Sequence, residues 1–410
     1  MRRAALACLA CLSTAAATAA PPEFGGQIMP IVTDQRPNAS GPLAAAAGLS
    51  PGVAPLPASS VAVETEVRAS GQGLTAVATE RVERAEGAAL HSRGWVNELY
   101  AAGGGETWQF SAGKKIVGWD VGYGFRPNDV VQQETRRLLL PTTLEGRPLM
   151  MAERFDASSA WSFVLVNPTK PRTQRGAQEP ALAARVYRRA GAVDGYGFAR
   201  WGAHTHGSAG AALSWVASES IELHASYRWL AAADTLAIDP AAVALSYSNP
   251  WLDAETTRVS QALLGGTWTN AEQWSVLVEA WWDGSALSDA QWDAWNARNR
   301  QLLTEVGTAA PASAIAGNLA WQANAFNASA SVRRANVFGR LSWKHDKWEP
   351  ALDLLFTPAD RGRMLTASLG WQGDRVRLDA GWRHGAGPDD AVLAQLPSRS
   401  TAYVAATWSF

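Results

Sequence analysis

The side chains able to do chemistry are few and scattered. The six histidines are His91, His204, His206, His224, His345 and His384. His204 and His206, two residues apart, share one face of an extended segment and could hold a metal, but no third ligand accompanies them at a regular spacing. Cys8 and Cys11 both lie among the first twenty residues, so the remainder has no thiolate nucleophile, disulfide or Cys-ligated zinc. No Ser or Asp stands beside a histidine in an activated-nucleophile motif, and the glycine clusters lack the strand-to-helix setting of a phosphate loop. The expectation is a protein without catalytic residues, cofactor or bound metal. What the charged residues can do instead is line an aqueous path. The candidates for that role are Glu222, His224, Arg228, Glu279, Asp283, Arg340, Lys344, Glu349, Asp353, Arg375, Arg377, Asp379 and Arg383. A second charged set, Lys114, Lys115, Asp120, Arg126, Asp129, Glu134, Arg136 and Arg137, falls where a strand runs into a long glycine-containing loop. Such a loop could fold inward as a constriction or stand solvated outside.

The lining assignment rests on alternation. Ile221, Leu223, Ala225, Tyr227 and Trp229 point one way while Glu222, His224, Ser226 and Arg228 point the other. Val376, Leu378, Ala380 and Trp382 oppose Arg375, Arg377, Asp379 and Arg383. Apolar faces also run through Trp274 to Trp282, Trp348 to Phe356 and Leu365 to Trp371, and each such face ends in an aromatic residue, as interfacial girdles do. Twenty tryptophans against five methionines fit that reading better than a helical core. Segments of this kind recur near 59–69, 72–84, 88–101, 105–118, 148–156, 158–167, 179–190, 194–204, 207–217, 219–230, 257–269, 272–283, 335–345, 347–357, 362–372, 374–384 and 399–410. The fold class predicted is all-β: a transmembrane antiparallel up-and-down β-barrel with one helical loop insertion. The segments number seventeen, but single-chain bacterial barrels are even-stranded, so the expectation is about 16 strands, with 18 as the alternative. One segment near 59–85 is the one most in doubt.

Arg2 and Arg3, an apolar run to Leu12 and the small residues ending at Ala20 predict a signal peptide over 1–20. Residues 21–58 are rich in Pro and Ala and are expected to form a periplasmic tail or a lumen plug, with the barrel over 59–410. Long loops are expected at 119–147, 231–256, 284–334 and 385–398. Short periplasmic turns are expected at 103–105, 345–347 and 372–374. Ser288 and Gln291 form a capping box, which predicts a helix with Trp292, Trp295, Leu302, Leu303 and Val306 on one face. Lys plus Arg number 36 and Asp plus Glu 37, so no basic field is available for nucleic acid.

Ala402, Val404, Ala406, Trp408 and the terminal Phe410 resemble the last strand of bacterial outer-membrane proteins, which the barrel assembly machinery reads at its aromatic end. Residues Gly113 to Glu134 resemble the Gly-Lys/Arg-x-Val-x-Trp stretch of porin-like and alginate-export-like barrels. Together with Trp281 to Trp292 they are also similar to an uncharacterised group of proteobacterial outer-membrane proteins. The resemblance implies a Gram-negative outer membrane, with contact to its lipid and to the assembly machinery. The function expected is a channel for a polar solute or polymer. The alternatives are a gated export component, for example in polysaccharide export, with a periplasmic partner bound through 21–58, and a structural barrel without transport.

Overall fold

The computed structural model describes residues 21–134, 139–140 and 144–410. Among them, eighteen strands form one antiparallel sheet that closes on itself. In chain order they are β1 (Glu23–Pro37), β2 (Ser60–Gly71), β3 (Leu74–Ala85), β4 (His91–Gly104), β5 (Trp108–Lys115), β6 (Arg147–Phe155), β7 (Ser159–Val166), β8 (Ala181–Ala190) and β9 (Val193–Gly202). The second half comprises β10 (His206–Val216), β11 (Ile221–Ile238), β12 (Trp251–Thr269), β13 (Trp274–Asp283), β14 (Ala335–Trp343), β15 (Trp348–Thr357), β16 (Gly362–Gln372), β17 (Val376–Ala386) and β18 (Ser398–Ser409). Each strand pairs with its sequence neighbour, and β1 pairs with both β2 and β18. At the end that carries both termini the connections run two to four residues. The opposite end, called here the loop end, carries the longer ones.

All seventeen segments read from the sequence are strands, and the eighteenth is β1, which raises the expected count of about 16 to its alternative of 18. Residues 21–58 are therefore neither a periplasmic tail nor a plug. Residues 23–37 form a strand of the barrel wall, and the next segment forms helix α1 (Pro42–Leu49) at the loop end. The reason this strand escapes notice is physical. Met29 and Ile31 face inward but are buried against Leu139 and Leu140, while Pro30 and Val32 face outward. Both faces are thus apolar, and alternation vanishes. The chain ends lock to this strand: the Phe410 N–H donates to the Gly26 carbonyl at 3.0 Å and the Gly26 N–H to Phe410 O at 3.1 Å.

A second correction concerns 231–256. Most of it is strand, because β11 and β12 remain paired from Ile221↔Trp268 to Ile238↔Trp251 and rise beyond their neighbours. The large insertion 284–334 holds α2 (Asp289–Thr304) and α3 (Ala312–Trp321). The capping box is formed, with Gln291 N donating to Ser288 Oγ and Ser288 N to Gln291 Oε1. Trp292, Trp295 and Leu302 are buried as expected, whereas Leu303 and Val306 are exposed. Helix α1 packs on α3 through Ala46, Ile315, Ala316 and Leu319.

The outward face is apolar around the barrel. On β13, Trp274 and Trp282 mark its two margins with Val276, Val278 and Ala280 between them. Eight residues of strand span roughly 27 Å, or about 20 Å of membrane at a tilt near 40°. Val278→Arg, at the middle of this band, is expected to lower the stability of the barrel in lipid vesicles by about 2–4 kcal/mol. Ser368→Arg, on an inward position of β16, is expected to change it little. Urea unfolding from vesicles, followed by tryptophan fluorescence, measures both.

Candidate functional site: a loop folded into the lumen

The described residues of the connection from β5 to β6 (116–134, 139–140 and 144–146) turn inward and lie against the wall of the barrel. Val117, Trp119, Val130 and Val131 are buried on the inward side chains of β6 to β10, including Leu149, Met151, Val164, Val166, Ala183, Phe198 and Ala212. Each side chain of this size contributes about 1.5–3 kcal/mol when removed from water, so an apolar footing anchors the loop.

Its tip is held by polar groups that reach across three strands in register. His224 on β11 stands opposite Gly265 on β12, and Gly265 stands opposite Glu279 on β13. A Cβ at 265 would lie 2.4 Å from His224 Nε2 and 2.7 Å from Glu279 Cγ. Glycine at this position leaves room for the two side chains to meet at 2.9 Å over the intervening strand. The fully buried Glu279 carboxylate also accepts the backbone N–H of Tyr123 at 2.6 Å and of Gly124 at 2.7 Å. His224 Nδ1 in turn lies 3.0 Å from Glu222. A buried carboxylate without such partners would be untenable.

A second set of bonds fixes the loop's return. Asp120, at the left-handed φ of 93°, accepts from Val121 N, Asn128 N and Ser226 Oγ. Asn128 Nδ2 donates to Ser226 Oγ and to the Tyr227 carbonyl, beside Gly210, where a Cβ would collide with Asn128 Oδ1. The buried Arg228 donates to the Pro127 carbonyl and to Ser208 Oγ, and Arg200 donates to the Val130 carbonyl and to Glu179. Burial raises the carboxyls of Asp120 and Asp129 above the usual aspartate range, against hydrogen bonds that pull them down. A docked loop therefore holds protons more tightly than an undocked one. Its docking is strongest at acid pH and weakens as pH rises from the ordinary aspartate value through the raised one.

Between the docked loop and the far wall lies a cavity of about 1420 Å³. Its far wall carries Arg340 and Asp353, facing residues of β14 and β15 bonded at 3.0 Å. Arg377 and Asp379 bond at 2.8 Å, and Arg383 donates to Thr366 at 3.1 Å. Glu349 and Tyr403 complete this side. From the loop, Tyr123 stacks on Phe338 at 5.8 Å and lies beneath the Arg340 guanidinium, 5.6 Å from its ring centre. Arg126 and Glu134, 3.7 Å apart, also border the space. Residues Ala323 to Val332 of the large insertion narrow it from the loop end.

The sequence-predicted lining residues thus divide. Arg340, Glu349, Asp353, Arg377, Asp379 and Arg383 face the cavity. Glu222, His224 and Glu279 point inward but stand behind the loop, and Arg228 lies beneath it, reaching the cavity's edge. Asp283 holds the root of the large insertion, accepting from Gln261, Ser285 and the Ser331 N–H. Lys344 and Arg375 belong to turns at the terminal end and are exposed. Of the candidate constriction residues, Asp120 and Asp129 anchor the loop while Arg126 and Glu134 meet the cavity. Lys114 pairs with Glu145 at 2.6 Å and Lys115 lies over Tyr100, both at the loop's root. Arg136 and Arg137 lie outside the described residues. Arg200, Glu179 and Asn128 are not among the sequence-predicted residues, although alternation along β9 puts Arg200 on the inward face with Asp194, Tyr196 and Phe198; Ser226, inward by alternation, proves to hold the loop.

Glu279→Ala removes the acceptor of both tip amides and is expected to weaken loop docking by about 3–5 kcal/mol, as breaking a buried polar cluster does. The barrel should still assemble, with single-channel conductance raised and noisier than in the parent. Loop fluctuations in the parent should become rarer as the bilayer recording is moved from pH 7 down to the ordinary aspartate value near 4.

No family model matches the chain, and no curated protein matches it. Among solved structures, that of OccAB1 from Acinetobacter baumannii is similar with a TM-score of 0.54 at 9% identity, covering 95% of this chain and 96% of that one. A triple mutant of the Rhodopseudomonas blastica porin aligns with a TM-score of 0.44 at 10% identity, covering 95% and 100%. At such identities the first likeness establishes the fold alone: a closed antiparallel barrel of the kind seen in bacterial outer-membrane proteins.

Proposed function

We propose that the protein is a diffusion channel of a Gram-negative outer membrane, with its short turns and Phe410 on the periplasmic side and its constriction formed by the described part of the β5–β6 loop. The observation that carries this reading is that, among the described residues, the docked loop stands beside an open cavity. An apolar outer band supports placement in lipid, and the inward charges support passage of polar solutes. Cavity-lining charges of opposite sign are paired on the wall, Arg340 with Asp353 and Arg377 with Asp379. Such pairing favours small neutral or zwitterionic solutes over strong discrimination by charge. The reading includes recognition of the last strand by the assembly machinery, which an aromatic residue at Phe410 supports. A role for 21–58 in holding a periplasmic partner has no free segment to use, since β1 and α1 occupy most of it.

Flux of sugars and charged solutes of graded size into liposomes containing the refolded protein tests the proposal. Flux with a size cutoff and a near-zero reversal potential in a salt gradient is expected. Its absence from a demonstrably folded barrel would favour the export or structural reading. Arg340→Ala leaves Asp353 without its partner and is expected to shift the reversal potential towards cation preference by a few-fold in permeability ratio.

A further inference from the structure

At the loop end, apart from the constriction, three potential ligands from three segments converge. His204 lies in the turn between β9 and β10, Asp234 on β11 and Glu255 on β12. Their ligand atoms all lie within 4.8 Å of one another. Asp234 and Glu255 are direct cross-strand partners, and like charges so placed repel each other unless a cation lies between them. His204 Nε2 lies 3.0 Å from Asp234 Oδ1 and 2.7 Å from Glu255 Oε1. Neither oxygen sits where it completes a hydrogen bond with the ring nitrogen, which is itself buried. Arg175 touches Asp234 at 3.2 Å and lies 4.0 Å from Asp253, and the Gly176 N–H donates to Asp234 at 2.7 Å.

We propose that His204, Asp234 and Glu255 form a binding site for a divalent cation of the zinc class. An imidazole donor selects such ions over calcium and magnesium, which prefer an all-oxygen shell. A tetrahedral ion with ligands at about 2.0–2.2 Å needs donor atoms about 3.4 Å apart, so the His204–Asp234 spacing of 3.0 Å must widen by about 0.4 Å and the His204–Glu255 spacing of 2.7 Å by about 0.7 Å. The exposed Glu255 can give that distance. Arg175, which shares Asp234, can turn to Asp253. The histidine's backbone is set in advance: the buried Glu179 accepts the N–H of His204 and, at 2.6 Å, that of Thr205, together with the Thr205 hydroxyl at 2.8 Å. Three protein ligands leave a fourth position for water or a passing solute. Because Asp234 borders the cavity, the ion would clamp the β9–β10 turn to the protruding β11–β12 hairpin at the channel mouth.

The test is titration of zinc chloride into the EDTA-stripped, tag-free folded protein in detergent, by calorimetry and by thermal melting. One zinc per chain with a raised melting temperature is expected in the parent and in His206→Gln. His204→Gln and Glu255→Gln should each weaken binding by at least the roughly 10–100-fold that even an outer-sphere partner is worth. Retention of the heat-modifiable gel shift of a folded barrel shows that the variants assemble. No zinc binding by the parent, binding unchanged in both variants, or tighter binding of calcium than of zinc would each overturn the proposal. The first of these would leave a histidine–carboxylate ion pair.

Discussion

In hydrocarbon a polypeptide has only itself to satisfy its N–H and C=O groups, and a sheet that spans the membrane must therefore have no open edge. The seam between β1 and β18 discharges that requirement here, running from Gln27↔Ser409 to Pro37↔Ser398. The outward apolar band and the inward polar one both follow from closure, because closing the sheet assigns one face of every strand to lipid and the other to the lumen. So does the even strand number, which puts the two termini at the same end. Everything with chemical interest then falls on the inner face or in the loops.

Closure alone leaves a wide tube, and a second constraint narrows it. The β5–β6 loop can fold inward only if the polar backbone it brings into a crowded lumen is satisfied there. The inner wall is built for this purpose: apolar over β6 to β10, where Val130 and Val131 settle, and hydrogen-bonding over β10 to β13. Gly265 shows how local this adaptation is. The absence of one side chain lets His224 and Glu279 join across a strand and present a carboxylate to two loop amides. The charges across the cavity are arranged otherwise, in wall pairs such as Arg340 with Asp353 that keep the remaining space polar without a strong field of either sign.

Strand positions were largely readable because lipid enforces alternation, as along Val276, Val278 and Ala280. The signal failed at β1, where Met29 and Ile31 face a loop instead of water, leaving both faces apolar. It also weakened at 231–256, because a hairpin standing clear of the membrane is free of the lipid rule. Inward direction was legible for every residue from Glu222 to Arg383 that lies within a strand. What stands in front of such a residue was not, since Glu279 and Asp379 obey the same alternation while one lies behind a loop and the other faces the cavity. That difference arises from contacts between residues more than 150 positions apart, Tyr123 with Glu279 among them, and no local pattern encodes them.

The seam also bears on the order of assembly. Its two strands are the first and the last among the described residues, so the ladder that removes the free edges joins residues separated by nearly the full sequence. Every partly built sheet keeps two unsatisfied borders until the final strand arrives, and the loop-closure entropy of the largest possible loop falls on that last step. The mutual bonds between Gly26 and Phe410 therefore form only in the completed cylinder. They tie its soundness to both border strands, so a chain lacking β1 or β18 would remain an open, adhesive sheet instead of a smaller barrel.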